Sequence, residues 1–361
     1  MRVSAGLILV ACVVAATLAE ASTYDDFVAF KKQHDKLYAS AEAEAKAFKN
    51  YQANLERIVE LNRANPGTTF GITRFADMSQ SEFGHKILMA PRAPVVHEAA
   101  RYAPKLDVQD IPESFDWRQQ LGGGAVRPVE DQGDLGTCWA FSTKENVEGQ
   151  QFLKHNISIT LSAEQLVECD YNDCSGFGGW PYLSYQYIMK NYGLISDDQL
   201  PYCSGLAYGK PGFCWPCLAS PWNFTMCGDE SDYNNSCDTT RHSCGLVTPQ
   251  NVKATVIDWF AVENNATQIQ AQLMTTGPLS VLLNAGELSL YHSGIYSPMI
   301  CNPANLDHAV LLVGWGVSGS KPYWIIKNSW GPTWGLDGYF WIGRGTNKCG
   351  IESTVTSSIV S

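Results

Sequence analysis

The chain has 361 residues, a net charge of −11 and 45% hydrophobic residues. This length suffices for one large or two medium domains with additional segments. The acidic balance without basic runs argues against nucleic-acid binding, because phosphate contacts need clustered Lys and Arg. We also expect no metal and no cofactor, since Cys214 and Cys217 form a lone C-x-x-C pair without a second ligand pair.

The first 21 residues are typical of a secretory signal peptide. Arg2 is followed by an apolar run from Ala5 to Ala16, and small residues stand at Ala19 and Ala21. The run is shorter than the roughly 20 apolar residues of a spanning helix. We therefore expect cleavage after Ala21, no membrane attachment afterwards, and delivery through the secretory pathway to a lysosome or vacuole or to the extracellular space.

Secretion predicts that most cysteines form disulfides. Loss of Cys12 with the signal peptide leaves eleven of the twelve cysteines, an odd number that predicts one free thiol. Passage through the same pathway makes four N-x-[ST] motifs candidate glycosylation sites, namely Asn156, Asn223, Asn234 and Asn265.

The chain then divides into two parts. Apolar residues at three- and four-residue spacings predict helix from residue 22 to about 62. A Pro- and Ala-rich stretch from Met89 to Pro104 predicts an extended linker. We expect a helical segment over residues 22–88, a linker over 89–110, and a cysteine- and aromatic-rich domain over 111–361.

Helices precede strands in this second domain. Helices are predicted from Cys138 to about His155, after a capping box at Ser162–Gln165, from Pro181, and over Gln268–Thr275. Val-, Ile- and aromatic-rich segments predict strands at Ala254–Val262, Pro278–Ala285, His308–Trp315, Tyr323–Lys327 and Tyr339–Ile342. This order indicates an α+β protein of two subdomains separated by a cleft. Residues 203–247 lack periodicity and are predicted to form a cysteine-rich insertion.

Three motifs carry the chemistry. Gln132–Ser142 surrounds Cys138, Asp307–Gly316 contains a histidine 170 residues after that cysteine, and Lys327–Gly331 contains an asparagine 190 residues after it. The set resembles the papain and cathepsin family of cysteine peptidases. The resemblance implies a papain-like fold with a helical left subdomain and an antiparallel, β-barrel-like right subdomain.

The resemblance also implies catalytic roles. Cys138 would be the nucleophile, His308 its acid and base, Asn328 the residue that orients the imidazole, and Gln132 an oxyanion donor. A helix N-terminus and a charged imidazole both lower the pKa of a thiol, so the expected resting pair is a thiolate and an imidazolium. Trp330 would shield the hydrogen bond between imidazole and asparagine.

The same resemblance predicts an apolar substrate pocket. Two glycines would offer backbone hydrogen bonds to an extended substrate. The pocket would prefer a bulky hydrophobic side chain at P2, one residue before the residue (P1) whose carbonyl is attacked. The expected substrate-binding residues are Gly178, Gly179, Trp180, Pro181, Leu282, Leu306, Ala309, Trp330 and Thr354.

The cysteines depart from the family pattern. Leu135 stands where the family usually has a cysteine, and the turn after Cys174 is altered, so Cys174 needs another partner, with the insertion as one candidate. Cys169 is expected to pair within residues 203–247, and its partner stays open. The resemblance implies a disulfide between Cys301 and Cys349.

Residues 22–110 resemble the inhibitory propeptide of the same family. Asn54, Ile58 and Asn62 match part of its helix motif, and Gly71–Asp77 matches its next motif. The resemblance implies a segment that crosses the cleft backwards, loosens when acid protonates carboxylates such as Asp77, and is removed near residues 111–117.

The expected function is that of a cysteine endopeptidase made as an inactive zymogen and working through a thioester. One alternative is an exopeptidase restricted by the insertion, although the insertion contains only His242 and lacks paired histidines. Another is a non-catalytic papain-like binding protein, which the intact Cys138 disfavours. The expected partners are protein and peptide substrates, the chain's own propeptide and cystatin-type inhibitors, and a monomer is expected.

Overall fold

The computed structural model describes residues 23–107, 110–206, 213–229, 244–298 and 300–361. The predicted signal peptide therefore lies outside the described residues, as does the candidate glycosylation site Asn234. No helix in the described ranges is long and apolar enough to cross a membrane. We call residues 23–107 the N-terminal region and the described residues from 110 to 361 the main body.

The N-terminal region contributes three helices and a short strand, and the main body contributes the other elements. The helices are α1 (residues 23–33), α2 (Ala41–Ala64), α3 (Gln80–Lys86), α4 (Cys138–His155), α5 (Ala163–Cys169), α6 (Pro181–Lys190), α7 (Phe224–Cys227) and α8 (Ala266–Thr276). The strands are β1 (Thr68–Phe70), β2 (Phe115–Asp116), β3 (Val256–Val262), β4 (Leu279–Leu283), β5 (Tyr291–Tyr296), β6 (His308–Ser318), β7 (Lys321–Lys327), β8 (Tyr339–Gly343) and β9 (Val355–Val360).

The helix predicted from residue 22 to about 62 is two helices. The chain turns between them at Asp35, which has a φ of 52°. The Ser40 hydroxyl then accepts a hydrogen bond from the Ala43 N–H and starts α2. The turn lets the aromatic faces of α1 and α2 pack together, with the rings of Phe27 and Phe30 centred 5.4 and 5.2 Å from that of Tyr51.

The predicted capping box at the start of α5 is only half formed. The Ser162 hydroxyl accepts a hydrogen bond from the Gln165 N–H at 3.0 Å, as expected. The side-chain oxygen of Gln165 accepts from the Ile195 N–H at 2.8 Å and does not return to Ser162. The buried glutamine therefore joins α5 to the loop that follows α6.

The strands form one open sheet. Their order is β1-β5-β8-β7-β6-β4-β9-β3, with β2 paired to β6. The α+β class is confirmed, but the expected barrel-like subdomain is not closed among the described residues, and β5 and β8 are parallel. The two end strands are β1 and β3, and they do not pair with each other. Strand β1 pairs with β5 alone, and α6 packs against β3.

The N-terminal region shares a hydrophobic core with the main body. Phe75 and Phe83 each contact Trp330 edge-on, with ring centres 5.3 Å apart. Strand β1 adds to the sheet by antiparallel pairing with β5. These two contacts fix the N-terminal region so that the residues after α3 pass across the face of the main body.

Disulfides attach the insertion to the helical side of the main body. Cys169 pairs with Cys244 and Cys174 pairs with Cys227, so both cysteines find partners within the insertion. Cys203 pairs with Cys214, and Cys217 is also disulfide-bonded. The disulfide between Cys301 and Cys349 is present as well. Among the described cysteines, Cys138 is the free thiol.

Candidate active site

Cys138 is the first residue of α4, and its side chain is fully buried. Its sulfur accepts a hydrogen bond from the Ala309 N–H at 3.4 Å. Because His308 precedes Ala309 as the first residue of β6, this contact holds the thiol beside the histidine. The positive end of the α4 dipole lies at the same place and favours negative charge on the sulfur.

The sheet brings His308 and Asn328 together. Antiparallel pairing of β6 with β7 places the start of β6 beside the residue that follows β7. The Nε2 atom of His308 lies 2.8 Å from the Asn328 Oδ1 atom, and the Trp330 ring stacks on the imidazole with centres 4.6 Å apart. The buried Nδ1 atom has no hydrogen-bond partner in the described part of the chain. The ring is thus oriented, with one nitrogen left for a reacting group.

Gln132 contacts both the main body and the N-terminal region. Its side-chain oxygen accepts a hydrogen bond from the Ser329 hydroxyl at 2.7 Å, which fixes the direction of the amide. Its Nε2 group donates to the carbonyls of Leu135 and Ile87, both at 2.8 Å. The N-terminal region therefore places a carbonyl oxygen on the amide that was expected to bind an oxyanion.

Burial holds the two reactive groups neutral in this structure. It raises the pKa of the Cys138 thiol to about 12, although the Ala309 N–H opposes the shift. It lowers the pKa of His308 to about 4, against the effect of the Asn328 hydrogen bond. The expected thiolate and imidazolium pair is therefore disfavoured here, because the N-terminal region excludes the water that would solvate the charges.

Met89 fills the apolar pocket beside the thiol. Its side chain is buried in a cluster that contains four of the expected pocket residues, Trp180, Leu282, Leu306 and Ala309. The Gly179 N–H donates to the Met89 sulfur at 3.4 Å. At Gly178, which has a φ of +129°, an added Cβ would lie 2.9 Å from Met89, so a side chain here would obstruct the pocket.

Three other expected substrate-binding residues are not members of that apolar cluster. Pro181 is the first residue of α6. Thr354 is buried, and its carbonyl accepts a hydrogen bond from the Leu282 N–H at 3.3 Å. Trp330 covers His308 and packs in the core shared with the N-terminal region, in a different cluster from Met89.

Backbone hydrogen bonds hold the N-terminal region along the cleft. The Met89 N–H donates to the Asp307 carbonyl at 2.8 Å. Arg92 and Leu306 exchange two backbone hydrogen bonds, at 2.9 and 2.8 Å. Sequence reasoning missed the roles of Ile87, Met89 and the Asp307 carbonyl. The available signal was the apolar run of residues 87–89 directly before the Pro-rich linker.

Glu164 and two cysteines form a cluster with the composition of a metal site. The cysteines are Cys203 and Cys214, which are joined in a disulfide, so the thiolates that would bind a metal are not available. The Glu164 carboxylate instead accepts backbone hydrogen bonds from Cys203 and Ser204 at 2.9 and 3.1 Å. The cluster therefore secures the start of the insertion.

The chain matches two protein-family models. Residues 111–359 match the papain family cysteine protease, and residues 27–83 match the cathepsin propeptide inhibitor domain. The two matches correspond to the main body and to most of the N-terminal region.

Named proteins resemble the chain over most of its length. A probable cysteine protease RD19B of Arabidopsis thaliana is 35% identical over 93% of this chain and 87% of its own length. Cathepsin F of Mus musculus is 33% identical over 93% of this chain and 64% of its own length. The solved structure of the digestive procathepsin L2 proteinase from Tenebrio molitor larval midgut is 27% identical, with a TM-score of 0.75, over 93% of this chain and 99% of that one.

Proposed function

The chain belongs to the papain family of cysteine proteases, and from that premise we propose that it is an endopeptidase held inactive by its N-terminal region. The observation that carries this proposal is the hydrogen bond from the Gln132 amide to the Ile87 carbonyl, at 2.8 Å. It indicates that a peptide carbonyl of the N-terminal region lies where a substrate's reacting oxygen would be stabilised.

The proposed reaction uses four side chains. The Cys138 thiolate attacks the carbonyl carbon of a peptide bond, and the resulting oxyanion accepts hydrogen bonds from the Gln132 amide and the Cys138 backbone N–H. His308 donates its proton to the leaving nitrogen, the C–N bond breaks, and a thioester remains. Water then attacks the thioester carbon while His308 takes a proton from it, the C–S bond breaks to return the Cys138 thiolate, and the acid product leaves. Asn328 keeps the imidazole ring in the same orientation throughout the reaction.

Removal of the N-terminal region would create the charged pair. Water would reach the cleft, and the burial that disfavours both charges would end. The α4 N-terminus and a protonated His308 would then lower the pKa of the Cys138 thiol. The ion pair predicted from the sequence is in this proposal a property of the mature enzyme.

Met89 supports a preference for bulky hydrophobic residues at P2. Its thioether side chain is 5% exposed and occupies the apolar cluster next to Cys138. A library of blocked peptides should show Leu, Phe or Met at P2, and preference for Arg at this position would contradict the proposal.

The path of the N-terminal region favours endopeptidase over exopeptidase activity. The chain runs past Gln132, Asp307 and Leu306, with α3 before the cleft and residues 93–107 after it. The cleft therefore holds a continuous polypeptide that extends beyond it in both directions. An exopeptidase needs an obstruction at one end of its cleft to bind a chain terminus.

Blocked peptides test this distinction. The mature enzyme should cleave a peptide that is acetylated at one end and amidated at the other, at an internal bond. Cys138→Ala should abolish cleavage, and an epoxide inactivator should label Cys138 in the mature wild-type protein. Release of single residues from free peptides, without internal cleavage of blocked ones, would support the exopeptidase alternative.

Maturation and transport form the last part of the proposal. We expect cleavage near Ile111, a monomeric product in a lysosome, vacuole or the extracellular space, and inhibition by cystatin-type proteins. Asn156, Asn223 and Asn265 are exposed, which supports their use as glycosylation sites. Digestion with an endoglycosidase should reduce the apparent mass of the secreted protein.

A further inference from the structure

The cysteine-rich insertion is joined covalently to the wall of the cleft. The disulfide between Cys174 and Cys227 ties the end of α7 to the turn that carries the substrate-binding glycines. In that turn, the Cys174 N–H donates to the Gly178 carbonyl at 2.8 Å. The position of α7 is therefore coupled to the backbone that contacts Met89.

A cavity of about 490 Å³ lies between the insertion and the N-terminal region. On the side of the main body it is lined by Phe177, Met226 and the disulfide between Cys174 and Cys227. The N-terminal region forms the other side, from α3 and from the stretch between Leu88 and Arg92, in which Ala90 and Pro91 are exposed. The region that blocks the cleft thus passes this cavity without filling it.

The cavity continues the pocket that Met89 occupies. The N-terminal region runs from Met89 to Arg92 along it, held by hydrogen bonds to the carbonyls of Asp307 and Leu306 at 2.8 and 2.9 Å. A substrate in the opposite chain direction, with its P2 side chain in the Met89 pocket, has its preceding residue, P3, at this cavity. We propose that the insertion forms a P3 subsite, in which Met226 and Phe177 select large apolar side chains.

The chemistry of the lining supports apolar ligands. Methionine and disulfide sulfur atoms are polarisable and contact aromatic and aliphatic groups favourably, and methionine adapts to different shapes. The Arg92 guanidinium, which donates to the Cys174 sulfur at 3.3 Å, leaves with the N-terminal region. The Asp307 carboxyl group is directed to the Ala285 N–H and the Asn284 amide, at 2.7 and 2.8 Å.

The inference rests on the proposed endopeptidase function, and one peptide series tests it. The peptides are blocked at both ends, carry Leu at P2 and a fixed P1 residue, and vary at P3 among Gly, Leu, Met, Phe and Asp. For the mature wild-type enzyme we expect kcat/KM for Leu, Met and Phe to exceed that for Gly by about tenfold, the effect of a few methylene groups in an apolar pocket. Equal values across the series would overturn the inference.

Three variants identify the source of the preference. Met226→Ala should reduce the tenfold ratio to about two- or threefold. Met226→Lys, at a half-buried position, should shift the preference towards Asp at P3. The matched control is Phe224→Ala, on the same helix but 62% exposed and outside the cavity, which should keep the wild-type ratio. A wild-type ratio in both Met226 variants would overturn the inference.

The failure of this inference can be distinguished from failure of the proposed function. Concentrations are normalised by epoxide labelling of Cys138, which counts correctly folded sites. The labelling is done on a separate aliquot, and if the unlabelled enzyme, shown in this way to be folded, cleaves none of the blocked peptides, the endopeptidase proposal is wrong. If it cleaves them without dependence on the P3 residue, only the subsite is wrong.

Discussion

Different interactions stabilise the N-terminal region and the main body. The main body contains four described disulfides, each of which stabilises a fold by about 2–4 kcal/mol. The N-terminal region has no cysteine and depends on aromatic packing, one edge strand and a few ion pairs. The inhibitory part can therefore loosen while the catalytic part stays folded. Reactivity of Cys138 measures this difference directly, because the thiol is accessible only when the N-terminal region opens.

The largest expected effect is on the reactivity of the thiol itself. In the precursor, burial raises the pKa of the Cys138 thiol to about 12 and keeps the sulfur from reagents, so it reacts slowly at pH 7. Lowering that pKa after removal of the N-terminal region should speed alkylation by iodoacetamide more than about 10³-fold. Mass spectrometry at pH 7 measures both rates, with Cys138→Ala as the blank. Similar alkylation rates in the precursor and the mature protein would contradict the inference that Cys138 and His308 are neutral in the precursor.

The next effect concerns aromatic packing. Phe83 is 1% exposed and contacts Trp330, so Phe83→Ala should weaken docking by about 3–5 kcal/mol and raise Cys138 labelling in the precursor by roughly 10² or more. Val96→Ala, at a residue 88% exposed, is the control and should change labelling less than about twofold. Unchanged labelling in the Phe83 variant would show that this contact does not hold the regions together.

A smaller effect is expected at Asp77. Its carboxylate accepts hydrogen bonds from the Lys36 ammonium at 2.9 Å and the Tyr38 hydroxyl at 2.8 Å. Asp77→Asn should cost about 2 kcal/mol and raise precursor labelling by roughly 30-fold. Glu60→Gln, on the exposed side of α2, should behave as wild type.

The smallest effect is expected at the ion pair between Arg74 and Asp131, which joins the two regions. Both side chains are partly exposed, at 23% and 43%, so the pair contributes about 0.2–1 kcal/mol. Arg74→Ala should raise labelling less than about fivefold, and about 0.5 M salt should remove the difference. Arg74→Lys keeps the charge and should lie closer to wild type. A hundredfold rise in labelling would mean that this ion pair, and not aromatic packing, contributes most to the attachment of the N-terminal region.

The sequence indicated that Cys138, His308 and Asn328 belong to one site, and their positions are encoded locally. Cys138 begins a helix with its own sequence signal, and His308 and Asn328 lie at the ends of two consecutive strands. Pairing of neighbouring strands then brings the two residues together without information from elsewhere in the chain. The family resemblance supplied their expected roles.

Strand β9 was not predicted, and its burial explains why. The side chains of Ser357 and Ser358 are 0% and 1% exposed, in a segment that sequence reasoning treats as polar. Asn146 of α4 accepts hydrogen bonds from the N–H and hydroxyl of Ser358, at 2.9 and 2.7 Å. A distant helix satisfies these polar groups, so the strand is stable only in its tertiary setting.

The side-chain contacts of the N-terminal region in the cleft and the exact partner of Cys174 were also beyond the sequence. Met89 was assigned to an extended linker, yet its side chain is buried in the pocket. The disulfide between Cys174 and Cys227 depends on where the insertion folds, which no local pattern specifies. Both features require knowledge of how distant segments meet.

The pairing of β1 with β5 has a consequence for solubility after maturation. Removal of the N-terminal region leaves β5 as an uncovered sheet edge, a site where chains can associate by intermolecular strand pairing. The register shifts between Thr69 and Phe70, and Gly294 has a φ of +85°, so the newly exposed edge is short and irregular. Such an edge is a poor template for aggregation, and the mature protein can lose its inhibitor and remain dispersed.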